Sequence, residues 1–70
     1  MSHVITVLAN GFEEIEAVSF IDLLRRANIT VSVLGLESME VRGAHDITIK
    51  AESLLSSDTL LHDGIILPGG

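Results

Sequence analysis

The 70-residue chain contains no cysteine, so no disulfide can staple it. Its histidines, His3, His45 and His62, stand far apart and without cysteine neighbours, which excludes the usual metal-ligand spacings. Basic residues are scarce as well. Only Arg25, Arg26, Arg42 and Lys50 could meet phosphates, and the formal net charge is −6, so nucleic acid is not an expected partner. No apolar run approaches the length of a membrane span. The start lacks both the basic region and the small-residue cleavage site of a secretory signal, so a soluble cytoplasmic protein is the expectation. Aromatics are limited to Phe12 and Phe20, and the 47% hydrophobic content is mostly Ile, Leu and Val. That composition builds a dry core rather than a disordered chain. A chain this short holds one domain at most and is marginal alone. With neither disulfide nor metal, oligomerisation or a partner segment is left to stabilise it.

What is present reads as alternating strand and helix. "HVITVLAN" is a continuous apolar run, too short for a helix, and predicts a strand buried on both faces. Residues 13–27 predict a helix, with Asn28 as a left-handed residue closing it. "ITVSVLGL" is a second β-rich run, which makes a right-handed βαβ unit with parallel strands. Met39–Arg42 and Asp46–Lys50 flank Gly43 and Ala44 and predict a hairpin or β-excursion at the sheet edge. "SLLSSDTLLHD" reads as loop, with Asp58 capping a short helical turn. "GIILPGG" is a third core strand. Three parallel strands and one helix leave a sheet face uncovered, whereas an α/β sheet needs helices on both faces. Residues 1–70 are therefore expected to be the N-terminal part of a larger single domain, the remainder being a separate or further segment.

"NGFEEIEAV" concentrates acids where the helix begins. Glu13, Glu14 and Glu16 all gain from the positive end of the helix dipole, by about 0.3–1 kcal/mol each when exposed. On a wheel of about 100° per residue, Ala17, Phe20, Ile21, Leu24 and Ala27 form the sheet-facing stripe, with Leu23 on its flank. Glu16 falls on that apolar side, one turn before Phe20. Glu13 and Glu14 read as helix-start acids. Desolvation at Glu16 would favour its protonated form, while the helix end opposes it, and a carboxyl so placed is a candidate acid or hydrogen-bond donor. Ligands of open α/β sheets lie beyond the carboxyl ends of the strands. Asn10 and Gly11 end the first strand there, and Gly69 and Gly70 end the last. Their backbone N–H groups could approach a reacting oxygen. "ANGFEEIE" fits neither a dinucleotide fingerprint nor a phosphate loop, and its acids would repel a phosphate. On the far helix face, Ile15, Ser19, Asp22 and Arg26 lie together. Asp22 and Arg26 could pair within the helix or bridge subunits across a two-fold axis.

"VLANGFEEIEAVSFIDLLRRANITVSVLGL" followed by "GIILPGG" resembles the N-terminal part of the DJ-1/ThiJ/PfpI superfamily, nearest its DJ-1 and YajL-like branch. "GFEEIEAV", "DLLRRANI" and "LPGG", in this order and spacing, carry the resemblance. It implies a flavodoxin-like, class I glutamine amidotransferase-like three-layer α/β sandwich with a mostly parallel sheet. It also implies a homodimer, with Ile15, Ser19, Asp22 and Arg26 at the interface. The acid matching Glu16 would hydrogen-bond a reactive cysteine at a strand-to-helix elbow, a nucleophile that this chain does not contain. Gly69 and Gly70 would supply amides to an oxyanion pocket, with Asn10, Gly11 and Glu13 lining the site. No cofactor or metal is implied. His45 stands near where many relatives carry an arginine, and all three histidines read as ordinary polar residues. Implied activities include glyoxalase or deglycase chemistry on small reactive carbonyls, redox-linked chaperone or stress-response action, and PfpI-type peptidase activity. A label for thiamine (4-methyl-5-(β-hydroxyethyl)thiazole monophosphate) biosynthesis is also attached to many members. Fold and motif do not choose among these.

Overall fold

In the computed structural model, which describes residues 3–56 and 64–69, two hydrophobic runs lie side by side. Strand β1 is His3–Leu8 and β2 is Thr30–Gly35, paired in parallel from His3 opposite Thr30 to Leu8 opposite Gly35. Helix α1, Glu14–Arg26, connects them. The remaining strands are β3 (Glu40–Arg42), β4 (Thr48–Lys50), β5 (Ser53–Leu54) and β6 (Gly64–Ile66). The main sheet runs β5-β2-β1-β6, all parallel, and β3 pairs with β4 as an antiparallel two-stranded sheet.

The strand alternation decides what is buried. Leu8 and Val33 face α1 and pack with Ala17, Phe12, Val41 and Ala51, with Ile21 and Ile49 against them. The hairpin thus closes the core beside the helix. Thr6, buried on this same face, donates its hydroxyl to the Ile66 carbonyl at 3.0 Å, which satisfies it without water. Across the sheet, Val7, Leu36, Leu55, Ile65 and Leu67 border an open concavity of about 770 Å³. That is the face expected to lack a covering layer.

Helix α1 ends as its sequence suggests. Asn28 adopts φ 63°, its N–H donates to the Arg25 carbonyl at 3.0 Å, and the Ile29 N–H reaches the Leu24 carbonyl at 3.0 Å. These two bonds are the pair that satisfies the last carbonyls of a helix closed by a left-handed residue. Arg25 and Arg26 occupy the negative end of the dipole, Glu14 and Glu16 the positive end.

Three expectations change. Ser53–Leu54, expected as loop, adds a short parallel strand beside β2. The helix stripe is narrower than the wheel implies: Ala17 is buried, Ile21 and Leu24 are half-buried, and Phe20 and Leu23 are exposed. The core cluster takes in Ala17, with Ile21 and Ile49 packed against it, and does not include Phe20 or Leu23. Asp46, expected at the start of a strand, stands in the turn before β4 with φ 66°. Ile47 is exposed in that turn and leaves Ile49 as the inward residue of β4. The Asp58 cap and His62 lie outside the described residues.

Candidate functional site

The carboxyl ends of β1 and β6 and the start of α1 converge on Gly69. Its N–H donates to Glu16 Oε1 at 3.0 Å, and its carbonyl accepts the Glu13 N–H at 2.6 Å. Both polar groups of one peptide residue are thereby held by the helix start. The cause is local: Glu13 is the N-cap, with extended backbone (φ −79°, ψ 111°) and no side-chain cap bond. Its N–H is one of the donors a helix start leaves without an intrahelical partner, and Gly69 takes it. Glu16, one turn in, reaches the same residue from the side.

Glu16 therefore stands at the strand ends, but it is exposed rather than desolvated among apolar neighbours. Its Oε1 is the oxygen that accepts the Gly69 N–H. The Gly69 amide, expected to face a reacting oxygen, is engaged by Glu16 in this arrangement. Asn10 and Gly11 border the concavity together with Pro68 and Gly69. Their polar groups are turned to the hairpin, however: the Arg42 N–H donates to Asn10 Oδ1 at 3.0 Å, and the Gly11 N–H donates to the Arg42 carbonyl at 2.8 Å. Gly70 lies outside the described residues. Among the described residues no cluster of His, Asp and Glu could hold a metal ion, and no helix is long and apolar enough to cross a membrane.

The residue that sequence reasoning underrated is Glu14. It is 5% exposed, with its carboxylate inside the β3–β4 turn. Oε2 accepts the N–H groups of His45 at 2.6 Å and Ile47 at 3.3 Å, and Oε1 lies 3.1 Å from His45 Nδ1. Burial alone would push this carboxyl up. The hydrogen bonds from backbone N–H groups and from the imidazole outweigh burial and bring it down to about 2. His45 in turn is raised above its ordinary 6.5, first by its hydrogen bond to Glu14, then by the charges of Glu14 and Glu13. No wheel could have shown this, because the turn that captures Glu14 lies about thirty residues away in sequence.

On the outer helix face Ile15 is 81% exposed and Val18 is exposed too. Arg26 Nε donates to Asp22 Oδ2 at 2.9 Å, so within one chain this pair is made along the helix. An open groove of about 390 Å³ runs between this helix and β4, lined by Val18, Ile21, Asp22, Arg25 and Lys50 among others.

Comparison with known proteins gives a single answer. The sequence profile of the DJ-1/PfpI family matches residues 2–70. Protein DJ-1 homolog B of Arabidopsis thaliana is 40% identical over 70 residues, covering 96% of this chain and 16% of that protein. A mutant of a DJ-1 superfamily protein from Salmonella typhimurium superposes with a TM-score of 0.93 at 46% identity, over 100% of this chain and 39% of its own. Oxidised Toxoplasma gondii DJ-1 also gives a TM-score of 0.93, at 39% identity and with the same two coverages of 100% and 39%. The chain thus spans well under half the length of each of these relatives.

Proposed function

This chain belongs to the DJ-1/PfpI family, and from that premise we propose that it is the N-terminal part of a cysteine-dependent protein acting on small reactive carbonyls. The observation that carries the proposal is the placement of Glu16 against Gly69 at the carboxyl edge of a parallel sheet, where sites of open α/β folds form. In this reading the thiol comes from outside residues 1–70, since these contain no cysteine. Its thiolate attacks the carbonyl carbon of an aldehyde such as methylglyoxal. A C–S bond forms, the carbonyl π pair moves to oxygen, and protonation of that oxygen completes a hemithioacetal. Glu16 holds the proton near sulfur and oxygen. In this reading Oε1 keeps the Gly69 N–H and Oε2 serves the reacting atoms. No cofactor is needed for this chemistry.

The protein in this reading is a cytoplasmic homodimer. The exposure of Ile15 and Val18 beside Ser19, Asp22 and Arg26 on one helix face supports that face as the contact. The test is Glu16→Gln in the protein as its gene encodes it. Methylglyoxal turnover should fall by at least about tenfold, the lower end of what an acid–base group contributes. Unchanged turnover would remove Glu16 from the chemistry. A second reading, a redox-sensing stress-response or chaperone dimer without turnover, is favoured by the likeness to a DJ-1 structure described as oxidised. Peroxide oxidation without any consumption of methylglyoxal would select it.

A further inference from the structure

The turn between β3 and β4 is folded around a carboxylate. Glu14 accepts two backbone N–H groups from it, His45 and Ile47, and its other oxygen meets the His45 ring. Gly43 sits directly under the Glu14 side chain, where a Cβ would collide with the carboxylate. The same hairpin grips the loop between β1 and α1. The Ala44 N–H donates to the Phe12 carbonyl at 2.9 Å, and Arg42 exchanges bonds with Asn10 and Gly11. That loop leads into Glu13, whose N–H holds the Gly69 carbonyl. Glu14 and Glu16 are two positions apart, hence about 200° apart around the helix. One helical turn therefore faces the hairpin with one acid and the strand end with the other.

We propose that Glu14 is a positioning residue of the Glu16–Gly69 site, holding the hairpin turn against the start of α1, and that the charge of His45 sets how firmly it holds. The consequence for turnover rests on the function proposed above; the mechanical coupling does not. Glu14 is anionic through the neutral range, since its carboxyl is brought down to about 2, so only His45 changes charge there. The imidazole is 74% exposed. It faces Glu14 and Glu13 from the helix start and Asp46 from its own turn, and Asp46 is itself held by Arg42 of β3 at 2.7 Å. The ring touches Glu14, and the other charges that act on it, Glu13 and Asp46, are acidic too, so the cation is the favoured partner. Its folded-state value is raised, so the imidazolium's contribution is complete below the ordinary 6.5 and is lost as pH rises through the raised value.

Amide exchange and imidazole titration by NMR test this in the protein as its gene encodes it. In the wild type, protection of the His45 and Ile47 amides, corrected for intrinsic exchange, should fall as His45 loses its proton. The Gly69 amide shift should follow the same titration. Glu14→Gln should speed exchange at residues 45, 47 and 69 by at least about tenfold, the loss of a charge-assisted hydrogen bond. His45→Gln should abolish the pH dependence at Gly69. Faster exchange at 45 and 47 with Gly69 unmoved would overturn the positioning role, and a wild-type pH profile in His45→Gln would overturn the role of the imidazole. Should Glu14→Gln fail to fold, the wild type and His45→Gln decide alone: a Gly69 shift that ignores His45 sinks the coupling. Failure of Glu16→Gln to lower turnover would leave these exchange results standing, so the two proposals fail separately.

Discussion

Three glutamates of similar standing in the sequence do three different jobs. Glu13 contributes its backbone N–H, Glu14 a buried carboxylate, and Glu16 an exposed carboxylate at the strand ends. The wheel set Glu16 apart on the apolar side, whereas the structure leaves it exposed and bonded to the Gly69 amide. The wheel misjudged Glu14, because azimuth describes the helix and not the hairpin that folds over it. Gly43 lies under the Glu14 carboxylate with no room for a Cβ. Replacing it with alanine places a methyl group on a carboxylate that cannot withdraw without releasing the His45 and Ile47 amides. Gly43→Ala should lower stability by about 1–3 kcal/mol, the usual cost of overpacking, measured by urea unfolding. An unchanged midpoint would show that the turn shifts freely.

At the level of elements, the two ends of α1 were legible to different degrees. The C-terminus is written locally. Asn28 before Ile29 predicts a left-handed closing residue, and φ 63° with its paired bonds is what forms. Asn28→Gly should be neutral or slightly stabilising, whereas Asn28→Ala should cost about 1 kcal/mol for a Cβ in the left-handed region. Thermal unfolding of the two variants checks this, and equal midpoints would contradict it. The N-terminus has no side-chain cap and is completed by Gly69, which is remote in sequence. Strand β5 escaped notice for a related reason. Two residues carry too little pattern to read, and Ser53–Leu54 becomes a strand only because β2 offers it an edge.

At the scale of the molecule, two apolar surfaces stand exposed among the described residues. One is the sheet face around Val7, Leu36, Ile65 and Leu67, the other the helix face around Ile15 and Val18. Patches of this kind mark contact sites more often than bare surface. If the helix face joins two copies, Ile15→Glu should raise the dimer dissociation constant by at least about tenfold, read by sedimentation equilibrium. No change would move the interface elsewhere.

The sequence by itself determined the parallel strands β1, β2 and β6, the helix between the first two, the hairpin, and the helix's closing residue. These follow from short-range periodicity and turn chemistry, which act within a few residues. The tertiary structure decided which acid is buried, which glycine meets a carboxylate and which amide Glu16 engages. Those outcomes depend on segments tens of residues apart arriving at one place. A buried carboxylate is tolerable only where several donors converge on it; the β3–β4 turn supplies them to Glu14, and only the fold brings that turn there.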